Sequence, residues 1–337
     1  MKATFERHVL QFKKPSGTSR GVLRNKETFF IHLTDGEKNG IGECGILRTL
    51  SIDDRPDYVE KLKWTCKNIH LGLDILYTEL REFPSIQFGL EQAFLDLEST
   101  NHILFPSNFT KGLDGIIING LIWMGTIDFM KNQIEKKIKH GFSCIKMKIG
   151  AIHFESEYQI LKQLRNDYPK LELRVDANGA FCSSKALEKI KQLSKLNLHS
   201  IEQPIKPRKW KKMAVLCKQT PLPIALDEEL IGVFDLKDKI ALLDCINPQY
   251  IILKPSLIGG FKGTKEWIDL AKKRKINWWI TSALESNIGL NAIAQWTYTL
   301  NNPIPQGLGT GHLYTNNIPS YLEIEGEKLF HKLKSQL

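Results

Sequence analysis

Apolar and polar positions follow one regular rhythm along most of this chain. From about residue 117 onward, short apolar runs alternate with segments whose apolar residues recur every three or four positions. The short runs predict strands, and the longer spacing predicts amphipathic helices; Ile127, Met130 and Ile134, for example, share one helical face. Strands that alternate regularly with helices predict a parallel sheet.

Eight strands are predicted in this region: 116–121, 143–149, 171–176, 199–202, 223–227, 250–254, 278–282 and 306–309. Ser183 and Ser184 are predicted caps of the helix that follows the third strand. Eight strand–helix units favour a (β/α)₈-type barrel, whose reactive groups lie at the carboxyl ends of the strands. A doubly wound open sheet is the alternative, and it would keep its ligands at one switch point.

The first 110 or so residues show a different pattern. Strands are predicted at 10–12, 28–33 and 39–43, with a turn at 34–36, and helices at 57–69 and 87–100. Together with the barrel region, this predicts an α/β protein with three parts: an N-terminal α+β capping domain at 1–112, the barrel at 113–318, and a C-terminal segment at 319–337 that returns to the capping domain. The segment 14–20 is predicted to be a loop, either a mobile one over the barrel mouth or an ordinary exposed one.

Composition narrows the possible partners. The chain has 337 residues and a net charge of +10, and its basic runs fall in predicted helices that face solvent. These runs lack the aromatic and glycine pattern of an RNA-binding surface, so we expect no nucleic acid and instead a small anionic carboxylate substrate. No apolar stretch is long enough for a bilayer and no secretory signal is visible, so no membrane and a cytoplasmic location are expected. The oligomeric state stays open.

Cysteines and histidines do not form a recognisable metal-binding or disulfide pattern. The six cysteines show no CxxC spacing, and the nine histidines form no HxH or HExxH pair. Neither zinc nor disulfides are therefore expected.

Charged residues lie at or beside the ends of five successive predicted strands. They are Lys146 and Lys148 on the second, Asp176, Glu202 and Asp227 on the third to fifth, and Lys254 on the sixth. A single acid at such a position often caps the next helix. The spacings between the three acids each match about one strand–helix unit, which predicts equivalent positions on adjacent strands.

Three converging carboxylates would repel one another without a cation between them. Ligands that are all oxygen favour Mg²⁺, with Mn²⁺ possible, and leave octahedral positions for water and substrate. Strands two and six of an eight-stranded ring lie on opposite sides of strand four, so Lys148 and Lys254 are predicted to face each other. Lys146 shares the orientation of Lys148 by the period of two.

This arrangement suits removal of a proton next to a carboxylate. A metal would stabilise the enediolate, and a lysine whose pKa is lowered by nearby cations would act as base. Two other classes stay open. A Schiff-base aldolase would need one buried lysine and no carboxylates, and a non-catalytic sugar- or metal-binding barrel would not need opposed lysines.

The same residues, with the segments 40–44 and 84–93, resemble the enolase superfamily and its muconate-lactonizing subgroup. The resemblance implies a Mg²⁺-dependent lyase in which Asp176, Glu202 and Asp227 bind the metal. It also implies that Lys148 is the base, with Lys146 as its electrostatic neighbour, and that Lys254 is the opposing cation.

Within this family, the segments 119–125, 174–178 and 307–311 are similar to those of enzymes of menaquinone biosynthesis. These dehydrate a cyclohexadiene dicarboxylate to an aromatic acid in a syn elimination. Dipeptide epimerisation and N-succinylamino-acid racemisation are the alternatives, because related enzymes use the same two lysines for them. A dipeptide epimerase would carry Asp-x-Asp on strand eight, whereas 307–311 here contains no carboxylate.

The resemblance also suggests substrate contacts and supporting residues. Ser282 and Ser286 are similar to the family's carboxylate-binding segment, although Ser286 suits a helix cap equally well. Gly309 and Thr310 are expected near the substrate. Arg174 and Asn178 are expected to support the metal ligands from behind.

Overall fold

The protein is described by a computed structural model that covers residues 1–18 and 21–332. Its N-terminal part begins with a three-stranded antiparallel sheet in the order β1-β2-β3. The elements here are Lys2–Thr18 (β1), Gly21–Thr34 (β2), Asn39–Cys44 (β3), Tyr58–Lys67 (α1), Gly72–Glu79 (α2) and Pro84–Leu97 (α3). The helix α3 starts at a proline, which is favoured in the first turn because no N–H partner is lost there.

A parallel seven-stranded sheet follows. Its strands, in spatial and chain order, are Gly120–Ile122 (β5), Cys144–Lys148 (β6), Glu172–Asp176 (β7), Ser200–Glu202 (β8), Ile224–Leu226 (β9), Tyr250–Leu253 (β10) and Asn277–Ile280 (β11). The helices between and after them are Ile127–Lys139 (α4), Phe154–Asp167 (α5), Ala186–Ser194 (α6), Trp210–Gln219 (α7), Leu236–Ile246 (α8), Gly260–Lys273 (α9) and Asn287–Thr299 (α10).

The two edges of this sheet are joined by a very short connection. Gln306 forms a parallel bridge to Ile118, and Gly307 forms one to Thr281 just beyond β11. The predicted strand at 306–309 is thus reduced to two bridging residues. The sheet curls because its first and last strands meet on either side of this segment.

The prediction of one continuous first barrel strand at 116–121 is wrong in detail. The structure divides it into Gly115–Ile117 (β4) and β5. Only β5 belongs to the parallel sheet, since β4 pairs antiparallel with Lys328–His331 (β13), which in turn pairs with Leu322–Glu325 (β12). The C-terminal segment therefore adds strands beside the entrance to the barrel sheet, and the boundaries of the three predicted domains stay a prediction.

Two local predictions are also wrong. The segment predicted as a loop at 14–20 is largely strand, because β1 runs to residue 18 with a register shift between Gln11 and Ser16. Residues 19 and 20 of that prediction lie outside the described residues. The helix α6 begins at Ala186 with Lys185 at its N-cap, and no side-chain cap bond is present, so Ser183 and Ser184 are not its caps.

The apolar side chains form two main clusters. The larger lies between the parallel sheet and its helices, and includes Ile145, Val175, Ile201 and Leu253. The smaller packs β2 and β3 against the N-terminal helices, with Ile31 and Leu90 completely buried. Within residues 1–18 and 21–332, no helix is both long and apolar enough to span a membrane.

Candidate active site

Neighbouring strands place the predicted acids and lysines side by side. Lys148 on β6 pairs in register with Asp176 on β7, and Asp176 pairs with Glu202 on β8. Asp227 and Lys254 each directly follow the last residue of their strand. All five residues therefore lie at or directly after the carboxyl ends of their strands. Because the strands are parallel, these ends meet at one edge of the sheet.

Lysine ammonium groups lie between the carboxylates. The Nζ atom of Lys146 is 2.5 Å from Oε2 of Glu202 and 3.1 Å from Oδ2 of Asp176. The Nζ atom of Lys148 is 2.9 Å from the same Asp176 oxygen. Lys254 forms an ion pair with Asp227. These pairs keep the buried negative charge compensated.

The pKa values of these groups follow from burial and charge. Burial alone would lower the pKa of Lys146, but the charges of Asp176 and Glu202 outweigh it and raise the pKa. Burial would raise the pKa of Asp176, yet Lys146 and Lys148 hold it below its usual value. The pKa of Glu202 lies well above normal because of burial and the nearby charge of Asp176. Because the charges of Asp176, Glu202 and Asp227 act on one another, the three acids need additional positive charge to be ionised at the same time.

Lys254 and Asp227, directly after the ends of β10 and β9, form a further ion pair. Burial acts to lower the pKa of Lys254, but the charges of Asp227 and Glu202 raise it. The pKa of Asp227 is lowered in return, because Lys254 outweighs the effect of burial. Lys254 is therefore a firmly charged group in this arrangement.

Asn178 holds the Lys148 side chain in place. Its Oδ1 atom accepts a hydrogen bond of 2.8 Å from Nζ of Lys148, and its Nδ2 atom donates one of 2.9 Å to Glu228. The backbone of Asn178 is in the left-handed region with φ of 42°, where asparagine is among the favoured residues. Lys148 is thus oriented by an amide as well as by a carboxylate.

The donor set fits a hard divalent cation. Asp176, Glu202 and Asp227 are each at most 2% exposed, and Oε1 of Glu202 is buried without a hydrogen-bond partner in the described residues. Among the described residues, no group of three or more His, Cys, Asp or Glu side chains is arranged so that it could hold a metal ion. The ammonium groups of Lys146, Lys148 and Lys254 form ion pairs with these carboxylates instead. Metal binding would therefore require these lysines to shift.

A cleft with an empty volume of about 960 Å³, its open mouth included, lies over these residues. Its lining includes Lys146, Lys148, Asp176, Asn178, Lys254, Ser282, Gly309 and Thr310. Ser282 and Thr310 are joined by a hydrogen bond of 2.6 Å between their hydroxyl oxygens. Seven of the ten residues predicted as catalytic, metal-binding or substrate-contacting therefore line this cleft, together with Asn178. Glu202 and Asp227 are buried and do not line it.

Two of the predicted site residues lie away from the cleft. Ser286 is fully buried at the N-cap of α10, where its hydroxyl accepts the Ile288 N–H and donates to Glu43. Arg174 is 1% exposed and lies deeper in the sheet, where it pairs with Glu172 and stacks on Trp279. Within the described residues, Arg174 makes no hydrogen bond or ion pair with the three acids.

Sequence reasoning missed an apolar wall of the cleft. Its residues are Leu23, Leu47, Leu50, Trp123 and Leu284. Trp123 directly follows β5, so the rule that found the charged residues at strand ends would have found it as well. The leucines of the N-terminal part carry no such signal, because only the tertiary structure brings that part over the sheet.

Buried carboxylates and lysines at the carboxyl edge of a curled parallel sheet, facing one cleft, define an α/β enzyme. The sequence matches the family described as "Enolase C-terminal domain-like" over residues 130–329. The chain belongs to this family, and with it to the enolase superfamily.

Individual relatives agree with this membership. The o-succinylbenzoate synthase of Desulfotalea psychrophila is 45% identical, and the alignment covers 97% of this chain and 98% of that protein. The crystal structure of MenC from the same organism matches with a TM-score of 0.87 at 41% identity, covering 98% of this chain and 99% of that one. The N-succinylamino acid racemase of Thermus thermophilus is 31% identical over 81% of this chain and 75% of its own length.

Proposed function

We propose that this chain is an o-succinylbenzoate synthase, a lyase that removes water from a cyclohexadiene dicarboxylate. The observation that carries the proposal is the 45% identity with a synthase of that name over nearly the whole of both chains. The open cleft is lined by Lys146, Lys148 and Lys254, whose positive charge suits a small carboxylate substrate. The architecture is accordingly proposed to be a (β/α)₈-type barrel with an N-terminal α+β capping domain.

Asp176, Glu202 and Asp227 are the proposed ligands of Mg²⁺, the metal that members of the enolase superfamily use. When bound, the ion would supply localised positive charge for the substrate carboxylate as its neighbouring proton leaves. All three carboxylates are buried, and they lie at or directly after the ends of three adjacent strands, at one edge of the sheet.

Lys148 is the proposed base. Its ammonium lies on the cleft surface and is oriented by Asn178. After losing its own proton, this lysine takes the α-proton of the substrate and returns it to the β-hydroxyl, which leaves as water from the same face. The electron pair of the broken C–H bond forms the new ring double bond, and aromatisation drives the step. Lys146 contributes positive charge nearby.

Lys254 is proposed to remain protonated throughout. Its pKa is raised, and it lies in the same cleft as Lys148. A permanent cation there stabilises the negative charge of the enediolate and contacts the face of the developing aromatic ring.

N-succinylamino-acid racemisation is the second candidate, and it is favoured by the 31% identity with a racemase. Dipeptide epimerisation is disfavoured, because the cleft wall at 307–311 offers no carboxylate to bind a substrate ammonium. A cytoplasmic location and the absence of a nucleic-acid partner stay predictions of the sequence.

A substrate panel tests the proposal. Purified protein with Mg²⁺ is incubated with the cyclohexadiene dicarboxylate, with N-succinylamino acids and with dipeptides, and products are measured by chromatography and mass spectrometry. We expect the highest kcat/KM for dehydration. A protein that acts on dipeptides or N-succinylamino acids but not on the diene would contradict the assignment.

A further inference from the structure

The glycines of the segment 40–44 bring an N-terminal strand into backbone contact with a helix. A Cβ atom on Gly42 would lie 1.9 Å from the carbonyl oxygen of Gly89, and one on Gly40 would lie 2.2 Å from that of Ala93. Only glycine fits such an approach, so β3 lies directly on α3. This contact sets the position of the next residue, Glu43, which is completely buried.

The carboxylate of Glu43 reaches across to the start of α10. Its Oε1 atom accepts hydrogen bonds from Thr28 (2.8 Å) and from the N–H of Ser286 (2.9 Å). Its Oε2 atom accepts from the Ser286 hydroxyl (2.6 Å) and from the N–H of Gly289 (2.9 Å). Four hydrogen bonds to one buried carboxylate, three of them from the α10 terminus, make Glu43 a cap supplied from a distant strand.

The start of α10 is shaped to receive this carboxylate. A Cβ atom on Gly289 would lie 2.8 Å from Oε2 of Glu43, so a larger residue would push the two apart. Lys26 on β2 adds positive charge 3.7 Å from Oε1, and its ammonium is buried without a hydrogen-bond partner in the described residues.

The capped terminus is continuous with the cleft wall. Ser282, Ala283 and Leu284 line the cleft and precede Ser286 by only two to four residues. Glu285, between them, accepts hydrogen bonds from the Ala283 N–H (2.7 Å) and from Ser256 (2.5 Å), which stands two residues after Lys254. The position of this wall therefore depends on where the α10 terminus is held.

We propose that Glu43 is a positioning residue of the cleft: by capping α10 from the N-terminal sheet, it fixes the wall 282–286 in the substrate-binding conformation. The proposal rests on the proposed function for its kinetic consequence only. Glu43 does not line the cleft and acts through the backbone of this wall.

Glu43→Gln tests the proposal. It replaces one carboxylate oxygen by an amide nitrogen, which cannot accept the two hydrogen bonds that this oxygen accepts in the wild type. Amide hydrogen exchange, measured without substrate, is expected to speed up at least about tenfold in the segment 282–290 and to change little in β6–β9. In turnover of the cyclohexadiene dicarboxylate, we expect KM to rise about tenfold and kcat to change less than about threefold.

Two further variants keep the test decisive. Thr28→Val retains the shape but removes one donor to Glu43, and should shift exchange and KM in the same direction by smaller factors. Glu6→Gln, at an exposed glutamate of the same sheet, is the control and should match the wild type. If Glu43→Gln folds too poorly to measure, Thr28→Val alone decides between these outcomes.

Wild-type exchange at 282–290 in Glu43→Gln and Thr28→Val would overturn the proposal, as would faster exchange spread evenly over the whole chain in either variant. An unchanged KM in an active enzyme would do the same. If the wild type fails to dehydrate the diene, the proposed function fails, but the exchange comparison still decides the role of Glu43.

Discussion

Lys146 and Lys148 are separated by one residue and have different surroundings. Lys146 binds two carboxylates, those of Asp176 and Glu202, whereas Lys148 binds one carboxylate and the Asn178 amide. The stronger negative field around Lys146 keeps it charged. This difference agrees with the proposed division in which Lys148 moves the proton and Lys146 supplies charge.

Substitution of Lys254 separates dehydration from racemisation. Lys254→Arg keeps the positive charge but replaces a titratable amine with a group that does not exchange protons at neutral pH. Dehydration is expected to fall about tenfold, since only electrostatic stabilisation is disturbed. Racemisation of an N-succinylamino acid should fall by more than about a thousandfold, because it requires proton transfer on both faces.

The measurement is the ratio of the two kcat/KM values in the wild type and in Lys254→Arg. Lys170→Arg, at an exposed lysine far from the cleft, is the matched control. Equal losses in both reactions would mean that Lys254 transfers a proton during dehydration as well.

At this scale, sequence predicted that the charged residues lie near one another but not how they pair. The spacing of Asp176, Glu202 and Asp227 is enough to place them on adjacent strands. It carries no information on side-chain torsions, which decide that Lys146 contacts Glu202. Ser286 has a local cap signal, but its contact with Glu43 spans 243 residues and has no local signature.

At the scale of elements, two glutamates from the N-terminal part of the chain cap helices of the barrel region: Glu91 caps α9 and Glu43 caps α10. Glu91 on α3 accepts hydrogen bonds from the backbone N–H groups of Phe261 and Lys262 at the start of α9. Burial raises the pKa of Glu91 from 4.5 to about 7, although these hydrogen bonds act in the opposite direction. The N-terminal part is therefore attached to the helices that follow the Lys254 turn and the 282–286 wall.

The raised pKa of Glu91 predicts that the free energy of unfolding decreases as the pH rises toward the alkaline range. Its pKa in the folded state lies above its ordinary value, so the folded state holds the proton more tightly than the unfolded state does. Its contribution to stability is fully present below about pH 4.5 and is lost as the pH rises through 7. Glu91→Gln should remove about 2 to 3 kcal/mol of this pH dependence of the free energy of unfolding.

Denaturant unfolding at pH 5 and pH 8 measures this difference. The control is Glu79→Gln, at an exposed glutamate of α2, which should retain the wild-type dependence. A Glu91→Gln protein whose stability falls between these pH values as steeply as the wild type would show that Glu91 is ionised throughout.

The elements that sequence predicted well are those with strong local periodicity. Ile160, Leu161 and Leu164 of α5 are buried as their spacing predicts. The errors occur where long-range pairing decides. The strand predicted at 116–121 is divided because β13, some 200 residues later, pairs with its first half. The strand at 306–309 is reduced to two bridges, which no local pattern reveals.

At the scale of the whole molecule, the site lies where an N-terminal sheet covers the carboxyl edge of a parallel sheet. The predicted family is confirmed by the match over residues 130–329 and by the 45% identical relative. The α/β class with a parallel sheet is confirmed as well. The N-terminal part was predicted as a capping domain, but its contacts were not, since those of Leu23 and Leu47 with the cleft depend on how the two parts meet.

Metal binding should stabilise the whole chain. If Mg²⁺ binds Asp176, Glu202 and Asp227 in the folded state only, a concentration of 100 times Kd should raise the free energy of unfolding by about 2.7 kcal/mol. Thermal unfolding with increasing MgCl₂, compared with NaCl of equal ionic strength, measures this effect. Asp227→Asn should abolish most of the shift, and an equal shift in that variant would place the metal elsewhere.

Turnover of the cyclohexadiene dicarboxylate by Lys148→Ala with saturating Mg²⁺ tests the assignment of Lys148 as the base of a dehydration. We expect a folded protein whose kcat falls by at least about a thousandfold relative to the wild type. Dehydration by Lys148→Ala within about tenfold of the wild-type rate would contradict it.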